Sequence, residues 1–317
     1  MAGFVPFSEQ KALHTDAPYR SALLTQPANF RKALAEAQAD ASKTLVGVAN
    51  GIPSIFIIKL IAQRKPDFIW IDAEHAMYNR LELHDYTLIS LGAIHAAQYH
   101  SEGRSMVAVR VSKHDEVSLT TALDAGAAAI VIPHTESAAE VEAFKKEVFF
   151  GKHIPWNFTP GLAPSLYPND PYNIQTANNH ICLIPQVESV KGLANVEEIA
   201  AVPGISAIMF GPGDYMIDAG IAIGAFMDNK PDPRFFEAMG KFNAAAAKNN
   251  LPIFGGALSL EQLPMLIQSG MRAICVQFDV WAFSNMTEKT MNDAKAIVKQ
   301  FEGNPKASVP EANGKPE

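Results

Sequence analysis

The fold is indicated most clearly by residues 181–214, which read ICLIPQVESVKGLANVEEIAAVPGISAIMFGPGD. An apolar run, Ile181–Val187, is followed by an amphipathic segment, then Gly204, and then a second apolar run, Ala207–Phe210. Short runs of continuous hydrophobicity are typical of strands that are buried on both faces. Gly204 stands where a helix commonly ends, because that position favours a positive φ. The stretch therefore predicts a strand–helix–strand unit with parallel strands.

The same unit recurs along the chain. Gly126 and Gly270 each follow a helical segment and precede an apolar run. Ser137 and Ser259 are predicted helix caps, and Pro53 is predicted in the first turn of another helix. The predicted strands are Leu45–Asn50, Phe68–Asp72, Met106–Val111, Ala128–Pro133, Ile181–Val187, Ala207–Phe210, Pro252–Gly255 and Ala273–Phe278. Eight repeats are typical of a closed (β/α)₈ TIM barrel in the α/β class, and a doubly wound open sheet is the alternative.

Three segments do not follow the repeat. Residues 1–27 are polar and contain several prolines, so they are predicted to form an N-terminal extension. The barrel is predicted over residues 28–302, with a long loop at 149–180 that is rich in proline and asparagine. Residues 303–317 have the composition of a disordered tail.

Composition restricts the possible functions. The chain has 317 residues, of which 48% are hydrophobic and 19% charged, with a net charge of −7. That acidic balance argues against a nucleic-acid-binding surface, which needs clustered Lys and Arg. The apolar stretch 52–62 is interrupted by polar residues and is too short to span a membrane. Cys182 and Cys275 fall in apolar strands and are predicted to be reduced core thiols, which favours a cytoplasmic location.

Polar residues collect just past the carboxyl ends of the predicted strands, where a barrel builds its active site. They are Asn50, Asp72, Glu74, His75, Arg110, His134, Gln186, Glu188, Asp214 and Asp279, together with the turn Gly211-Pro212-Gly213. So many acids, histidines and hydrogen-bonding groups at the ends of apolar runs indicate a chemical function.

Glu188 and Asp214 follow consecutive strands, so their carboxylates are expected to converge. Two buried carboxylates repel each other unless a proton or a cation lies between them. Mg²⁺ suits such a pair, since it takes one or two protein carboxylates and fills its other positions with water and substrate oxygens; Mn²⁺ or Co²⁺ could use the same ligands. The alternative is that Asp214 only caps the helix that follows.

The segment Asp72-Ala73-Glu74-His75 forms a second cluster. A histidine three residues after an aspartate can be oriented by it and made more basic, so His75 is a candidate general base with Glu74 beside it. The alternative is a structural histidine.

Arg110 ends an apolar run, and its guanidinium fits a carboxylate or a developing enolate oxygen. The alternative for Arg110 is an ion pair with Glu74, Glu188 or Asp214.

These residues resemble the HpcH/HpaI class II pyruvate aldolases, a family that includes macrophomate synthase-like members. The resemblance covers about residues 29–300, and its matching stretches include IDAEHAMYN (71–79), VAVRVS (107–112) and the segment 183–216. The most specific elements are Gln-x-Glu and Gly-Pro-x-Asp in the last of these, together with the Asp-x-Glu-His of the first. It implies a metal-dependent lyase that forms or cleaves a carbon–carbon bond through a pyruvate enolate, with retro-aldol cleavage of a 4-hydroxy-2-oxo acid as the main reaction. Oxaloacetate decarboxylation and a macrophomate synthase-like reaction are the alternatives.

The resemblance also implies a role for each site residue. Glu188 and Asp214 would be the metal ligands, His75 with Asp72 the acid–base pair, and Arg110 the group that stabilises the enolate. The remaining roles concern substrate binding: Gln186 would contact the oxo group, the turn Gly211-Pro212-Gly213 would hold the carboxylate, and His134 would match a histidine of the macrophomate synthase-like members.

Two features concern partners. The substrates would be a 2-oxo acid and an aldehyde or other acceptor, and the family implies a homo-oligomer, commonly a hexamer, with a last helix at 285–301 exchanged between subunits.

Residues 153–161 lack the arginine that the family carries in this loop, which leaves the acceptor open. A barrel that binds without catalysing, and a lyase acting on phosphoenolpyruvate or an acyl-CoA, are the rival functions.

Overall fold

Eight parallel strands close on themselves to form a barrel. The computed structural model describes residues 29–76, 93–149, 174–223 and 232–303. The strands pair in sequence order, and the eighth returns to pair with the first. They are β1 Leu45–Asn50, β2 Phe68–Asp72, β3 Met106–Arg110, β4 Ala129–Ile132, β5 Cys182–Val187, β6 Ile208–Phe210, β7 Ile253–Gly256 and β8 Met271–Phe278. The predicted (β/α)₈ barrel is confirmed, and the open-sheet alternative is wrong.

Helices surround the barrel. They are α1 Phe30–Ala39, α2 Ile55–Ala62, α3 Ala93–His100, α4 Glu116–Asp124, α5 Ala138–Val148, α6 Ile174–His180, α7 Val190–Ala194, α8 Val196–Ala200, α9 Pro212–Asp218, α10 Pro233–Lys248, α11 Leu263–Gln268 and α12 Asp279–Lys299. Three glycines precede strands with φ of 91° at Gly126, 93° at Gly204 and 99° at Gly270. The prediction of left-handed turns at these glycines is confirmed.

The predicted helix starts are only partly correct. The Ser137 hydroxyl accepts a hydrogen bond from the N–H of Glu140 and caps α5 as predicted. Helix α2 begins at Ile55, so Pro53 precedes the helix and does not lie in its first turn. Ser259 precedes a single 3₁₀ turn, Leu260–Gln262, and α11 begins only at Leu263. Pro264 explains the late start, since a residue without an N–H is accommodated in the first turn of a helix.

The barrel interior is filled by side chains, and α1 closes its amino end. Phe30 and Leu34 of α1 are fully buried against the interior cluster, where the ring of Phe30 meets that of Phe68 edge-on at 5.8 Å. Gly47 on β1 makes room for Phe68, because a Cβ at this position would lie about 2.5 Å from the ring. With its amino end blocked, the barrel presents its carboxyl end to ligands.

Several predictions concern residues outside the described ranges. The extension 1–27, residues 153–161 and nearly all of the tail 303–317 fall there. Of the loop predicted over 149–180, residues Ile174–His180 form α6, so its last part is helical. Both cysteines are free and buried, as predicted. In the described part of the chain, no helix has the length and apolar character needed to cross a membrane.

Candidate active site

The predicted site residues meet at the carboxyl end of the barrel. Asp72 and Arg110 are the last residues of β2 and β3, and they lie opposite each other in the register of these strands. Gln186 lies near the end of β5 and Glu188 directly follows that strand. Asp214 stands in the first turn of α9. Because all eight strands run in the same direction, these ends share one rim of the barrel.

Arg110 is held by Asp72 through a two-point contact. Nε donates to Oδ1 of Asp72 at 2.9 Å, and Nη2 donates to Oδ2 at 2.5 Å. Burial alone would raise the pKa of Asp72, but the hydrogen bonds and the charge of Arg110 outweigh it and hold that pKa below its ordinary value. The face of the Trp70 ring, 5.2 Å from Cζ, supports the guanidinium further.

Glu74 lies on the other side of the guanidinium. Its Oε2 atom is 3.2 Å from Nε of Arg110, within ion-pair distance, yet this buried oxygen accepts no hydrogen bond of good geometry. Burial raises the pKa of Glu74, although the charge of Arg110 opposes the shift. The predicted alternative of an ion pair between Arg110 and Glu74 is present. Asp72, which binds Arg110 at two points, is not among the partners predicted for Arg110.

His75 is exposed at the rim. Its Nε2 atom lies 3.6 Å from Oε2 of Glu74, and 59% of the side chain is accessible, so a bound molecule can reach it. The only group of His75 that donates to Asp72 is its backbone N–H, at 3.4 Å. The prediction that Asp72 orients the imidazole is therefore wrong: Arg110 occupies the Asp72 carboxylate, and Glu74 is the acid beside the ring.

Glu188 is buried and closely surrounded. Its Oε1 atom accepts the backbone N–H of His134 at 2.7 Å, and its Oε2 atom accepts the amide Nε2 of Gln186. Oε1 of Gln186 in turn accepts Nη1 of Arg110 at 3.5 Å, so Gln186 links the arginine to the acid. Burial raises the pKa of Glu188, and the charge of Asp214 adds to the rise against the opposing hydrogen bond of His134.

His134 lies between two carboxylates. Its Nδ1 atom is 3.3 Å from Oε1 of Glu188, and its Nε2 atom is 3.6 Å from Oε1 of Glu74. The residue has a φ of 49°, a left-handed backbone conformation that residues other than glycine rarely adopt. Such backbone strain persists only where the surrounding structure holds it, and it is found most often at functional sites.

Gly211 allows the acid and the following turn to approach each other. A Cβ at this position would collide with Oε2 and Cβ of Glu188 and lie 2.8 Å from Nε2 of Gln186. Helix α9 begins one residue later, at Pro212, with Gly211 as its N-cap. Asp214 is thus in the first turn, where a negative charge is favourable, but it does not occupy the capping position.

The donor set suits a hard cation better than a soft one. Among the described residues, no group of three or more His, Cys, Asp and Glu side chains is arranged to hold a metal by itself. Glu188 and Asp214 supply carboxylate oxygens only, and the charge of Asp214 adds to burial in raising the pKa of Glu188. A cation such as Mg²⁺, which needs only one or two carboxylates, fits this pair and would relieve the repulsion.

Two further groups at this rim were not assigned a role from the sequence. Asp279, at the start of α12, accepts Nδ2 of Asn50 at 2.6 Å and the N–H groups of Gly51 and Ile52 at 2.8 and 3.2 Å. These bonds join α12 to the loop after β1 and so strengthen the seam where the barrel closes. Lys113, past the end of β3, donates to the carbonyl of His134 at 2.7 Å. Both roles depend on contacts with backbone atoms, which residue types do not reveal.

The closed barrel and the acidic, arginine-containing rim define the class, a TIM barrel with a candidate active site at the carboxyl ends of its strands. The chain belongs to the HpcH/HpaI aldolase/citrate lyase family, whose model matches residues 54–285. A solved structure of macrophomate synthase superposes with a TM-score of 0.82 and is 58% identical, covering 94% of this chain and 99% of that one.

More distant relatives are bacterial aldolases. A hydroxypyruvate/pyruvate aldolase of Paraburkholderia phytofirmans is 27% identical over 80% of this chain and 94% of its own length. A protein of the same name from Delftia acidovorans is 29% identical over 62% of this chain and 68% of its own length. The resemblance inferred from the sequence motifs is confirmed.

Proposed function

We propose that this protein is a divalent-metal-dependent lyase that forms or cleaves a carbon–carbon bond beside a 2-oxo acid, through a pyruvate enolate. The observation that carries the proposal is the position of Glu188, Asp214 and Arg110 at one rim of a barrel in this family. Two acids and one guanidinium are what a chelating, anionic substrate requires, because a cation and a cationic side chain can then share its charge.

Glu188 and Asp214 would hold the metal, with Mg²⁺ as the preferred ion and Mn²⁺ or Co²⁺ as substitutes. When bound, the ion supplies Lewis-acid stabilisation of negative charge on the substrate's oxo oxygen. The protein keeps Glu188 in place through the N–H of His134 and the amide of Gln186. Gly211 leaves the space into which this carboxylate fits.

Arg110 stabilises the enolate from the protein side. Asp72 occupies Nε and Nη2 and fixes the plane of the guanidinium, while Nη1 makes only a longer contact, 3.5 Å, with Gln186. We therefore assign Nη1 to the substrate oxo oxygen, together with the second N–H of the Gln186 amide, whose other N–H donates to Glu188. The turn Gly211–Gly213 at the start of α9 is the proposed position of the substrate carboxylate. The N–H of Gly211 donates to the Val187 carbonyl and Pro212 has none, so Gly213 and Asp214 supply the N–H groups that lack intrahelical partners.

His75 is the proposed acid–base residue. In a retro-aldol reaction it accepts the proton of the 4-hydroxyl group as the bond to the pyruvyl fragment breaks, and in the reverse direction it returns that proton. Its exposure at the rim lets it reach the acceptor half of the substrate. Glu74 is the acid beside this imidazole, 3.6 Å from its Nε2 atom.

A synthase-type reaction is the second candidate. The chain is 58% identical to macrophomate synthase but 27–29% identical to the aldolases named above. That difference in identity favours a reaction in which the enolate adds to an acceptor over a cleavage reaction in which the enolate is protonated to pyruvate. Decarboxylation of oxaloacetate would generate the same enolate and needs the same residues.

We also propose that the protein forms a homo-oligomer. Helix α12 extends from the barrel with a row of exposed apolar side chains. They are Val280, Phe283, Met286, Met291, Ile297 and Val298, each about half or more accessible in the single chain. A surface this apolar is typical of an interface between subunits. A hexamer in which this helix packs on a neighbouring subunit is the arrangement we expect.

The test is the release of pyruvate from oxaloacetate and from a 4-hydroxy-2-oxo acid, with Mg²⁺ or Mn²⁺ and then with EDTA. We expect turnover that requires metal and that falls at least about a hundredfold in Glu188→Gln, because an essential ligand is lost. Glu197→Gln is the control, as Glu197 is an exposed acid paired with Lys248. Metal-independent turnover would contradict the mechanism, and absence of both turnover and metal binding would support a non-catalytic barrel.

A further inference from the structure

Lys113 contacts the strained backbone beside the proposed metal ligand. Its Nζ atom donates to the carbonyl oxygen of His134 at 2.7 Å and to Oε1 of Glu140 at 3.2 Å. The side chain is only 19% accessible, so the ammonium group is fixed between these two acceptors. A lysine engaged in this way is not a free nucleophile.

The conformation of His134 is fixed by the hydrogen bonds of the two peptide groups on either side of its Cα. The N–H of the first peptide donates to Glu188 at 2.7 Å. The second peptide is held at both ends: Lys113 binds its carbonyl oxygen, and its N–H, which belongs to Thr135, donates to the carbonyl of Gln186 at 2.9 Å. Since φ and ψ of His134 are the rotations between these peptides, the bonds together maintain the left-handed φ of 49°.

Glu140 holds the lysine and the turn together. Its second oxygen, Oε2, accepts the N–H of Glu136 at 2.8 Å, so one carboxylate ties Lys113 to the chain that follows His134. Glu140 is itself anchored in the first turn of α5 beneath the Ser137 cap. The lysine is therefore positioned in part by the first turn of α5.

We propose that Lys113 is a positioning residue for the metal ligand Glu188. By holding the His134 carbonyl, it keeps the His134 N–H directed at Oε1 of Glu188 and thereby fixes the carboxylate for the cation. Loss of Lys113 removes one of the bonds that hold a strained residue, so the peptide relaxes and the N–H turns away from Glu188. This inference rests on the proposed function, because Glu188 matters as a ligand only if metal binds there.

The experiment measures two properties of Lys113→Met and of Lys113→Arg. The first is the Kd for Mn²⁺, by electron paramagnetic resonance without substrate. The second is hydrogen exchange of the His134 and Thr135 amides in metal-free protein. We expect Lys113→Met to bind Mn²⁺ about five- to tenfold more weakly and to exchange faster at both amides, because one of the hydrogen bonds that direct the His134 N–H at Glu188 is lost. Lys113→Arg should retain most of the Mn²⁺ affinity and most of the protection of these amides from exchange.

A matched control removes a neighbouring charge without touching His134. Lys191 pairs with Glu136 and is 68% accessible, so Lys191→Met should leave both measurements unchanged. Unaltered Mn²⁺ affinity and exchange in Lys113→Met would overturn the inference. If the unsubstituted protein bound no Mn²⁺ but Lys113→Met still exchanged faster at His134, the proposed metal function would be overturned while the coupling of Lys113 to the His134 backbone stood.

Discussion

Asp72 and Arg110 face each other across neighbouring strands and are joined by two parallel hydrogen bonds of 2.9 and 2.5 Å. Both side chains are mostly buried, with 18% and 9% of their surfaces accessible. The pair therefore fixes a planar cation at the rim before any substrate arrives. Such preorganisation favours catalysis, since the charge need not be reoriented when the enolate forms.

Replacement of Asp72 tests this arrangement. In Asp72→Asn the guanidinium loses its charged partner and one of its two acceptors, and it can rotate toward Glu74. We expect kcat/KM for the 2-oxo acid to fall about 10- to 100-fold, as for a misplaced catalytic group. Asp67→Asn is the control, because Asp67 lies at the opposite end of β2 and binds the N–H of Val46. Equal effects of the two substitutions would mean that the loss is structural.

The same pair should make stability depend on pH. The pKa of Asp72 lies below its ordinary value of 3.8 in the folded protein: burial would raise it, but Arg110 outweighs burial. The unfolded chain therefore takes up a proton at a higher pH than the folded chain does. The stabilisation is complete well above pH 3.8 and is lost as the pH falls through the lower, folded value.

Urea unfolding of the unsubstituted protein and of Asp72→Asn, at pH values from about 6 down to 3, measures this difference. The advantage of the unsubstituted protein in free energy of unfolding should shrink steadily toward low pH. A constant advantage would show that Asp72 keeps the same pKa in both states.

Gly211 is expected to be irreplaceable for steric reasons. In Gly211→Ala the new methyl group would collide with the Glu188 side chain, a proposed metal ligand. We expect Mn²⁺ affinity to drop at least about tenfold, since a ligand must move. Gly240→Ala provides the comparison, because a Cβ there meets no atom within 4 Å. Isothermal titration calorimetry measures the Kd for Mn²⁺ of both variants. Unchanged affinity in Gly211→Ala would show that residue 211 and the Glu188 side chain are less closely packed than the structure indicates.

Much of this architecture could be predicted from local sequence, because each strand is a continuous apolar run and three helix ends carry a glycine. Two of the strands, Leu45–Asn50 and Phe68–Asp72, were predicted to the residue, and the start of β8 was misplaced by two. The partner of Arg110 could not be predicted in this way. It depends on the register of β2 against β3, which sets Asp72 opposite Arg110. Strands that are apolar at nearly every position have no alternation from which their register could be predicted.

The role of Lys113 was beyond prediction for a different reason. Its acceptor is a main-chain carbonyl, which every residue possesses. The left-handed φ of His134 could not be predicted either, because this position has neither glycine nor asparagine, the residues that usually indicate such a conformation.

Asp279 is predicted to be essential for stability and not for metal binding. Its buried carboxylate accepts four hydrogen bonds: three from Asn50, Gly51 and Ile52, and one from the N–H of Val280. In Asp279→Ala these donors lose their partner, which should cost about 2–4 kcal/mol in the free energy of unfolding. Asp293→Ala, on the exposed part of the same helix, should cost less than about 0.5 kcal/mol. Chemical denaturation measures both, and similar values would refute a special role for Asp279.

The apolar row on α12 yields the last prediction. Met286 is 62% accessible in the single chain, and Phe283 and Val280 precede it at helical spacing. Met286→Glu would place an unpaired charge in the proposed subunit interface, so we expect sedimentation velocity to show smaller species. Asn292→Glu adds the same charge on the polar side of this helix and should leave the oligomer intact. A monomer in the unsubstituted protein, or equal behaviour of the two variants, would contradict the proposed interface.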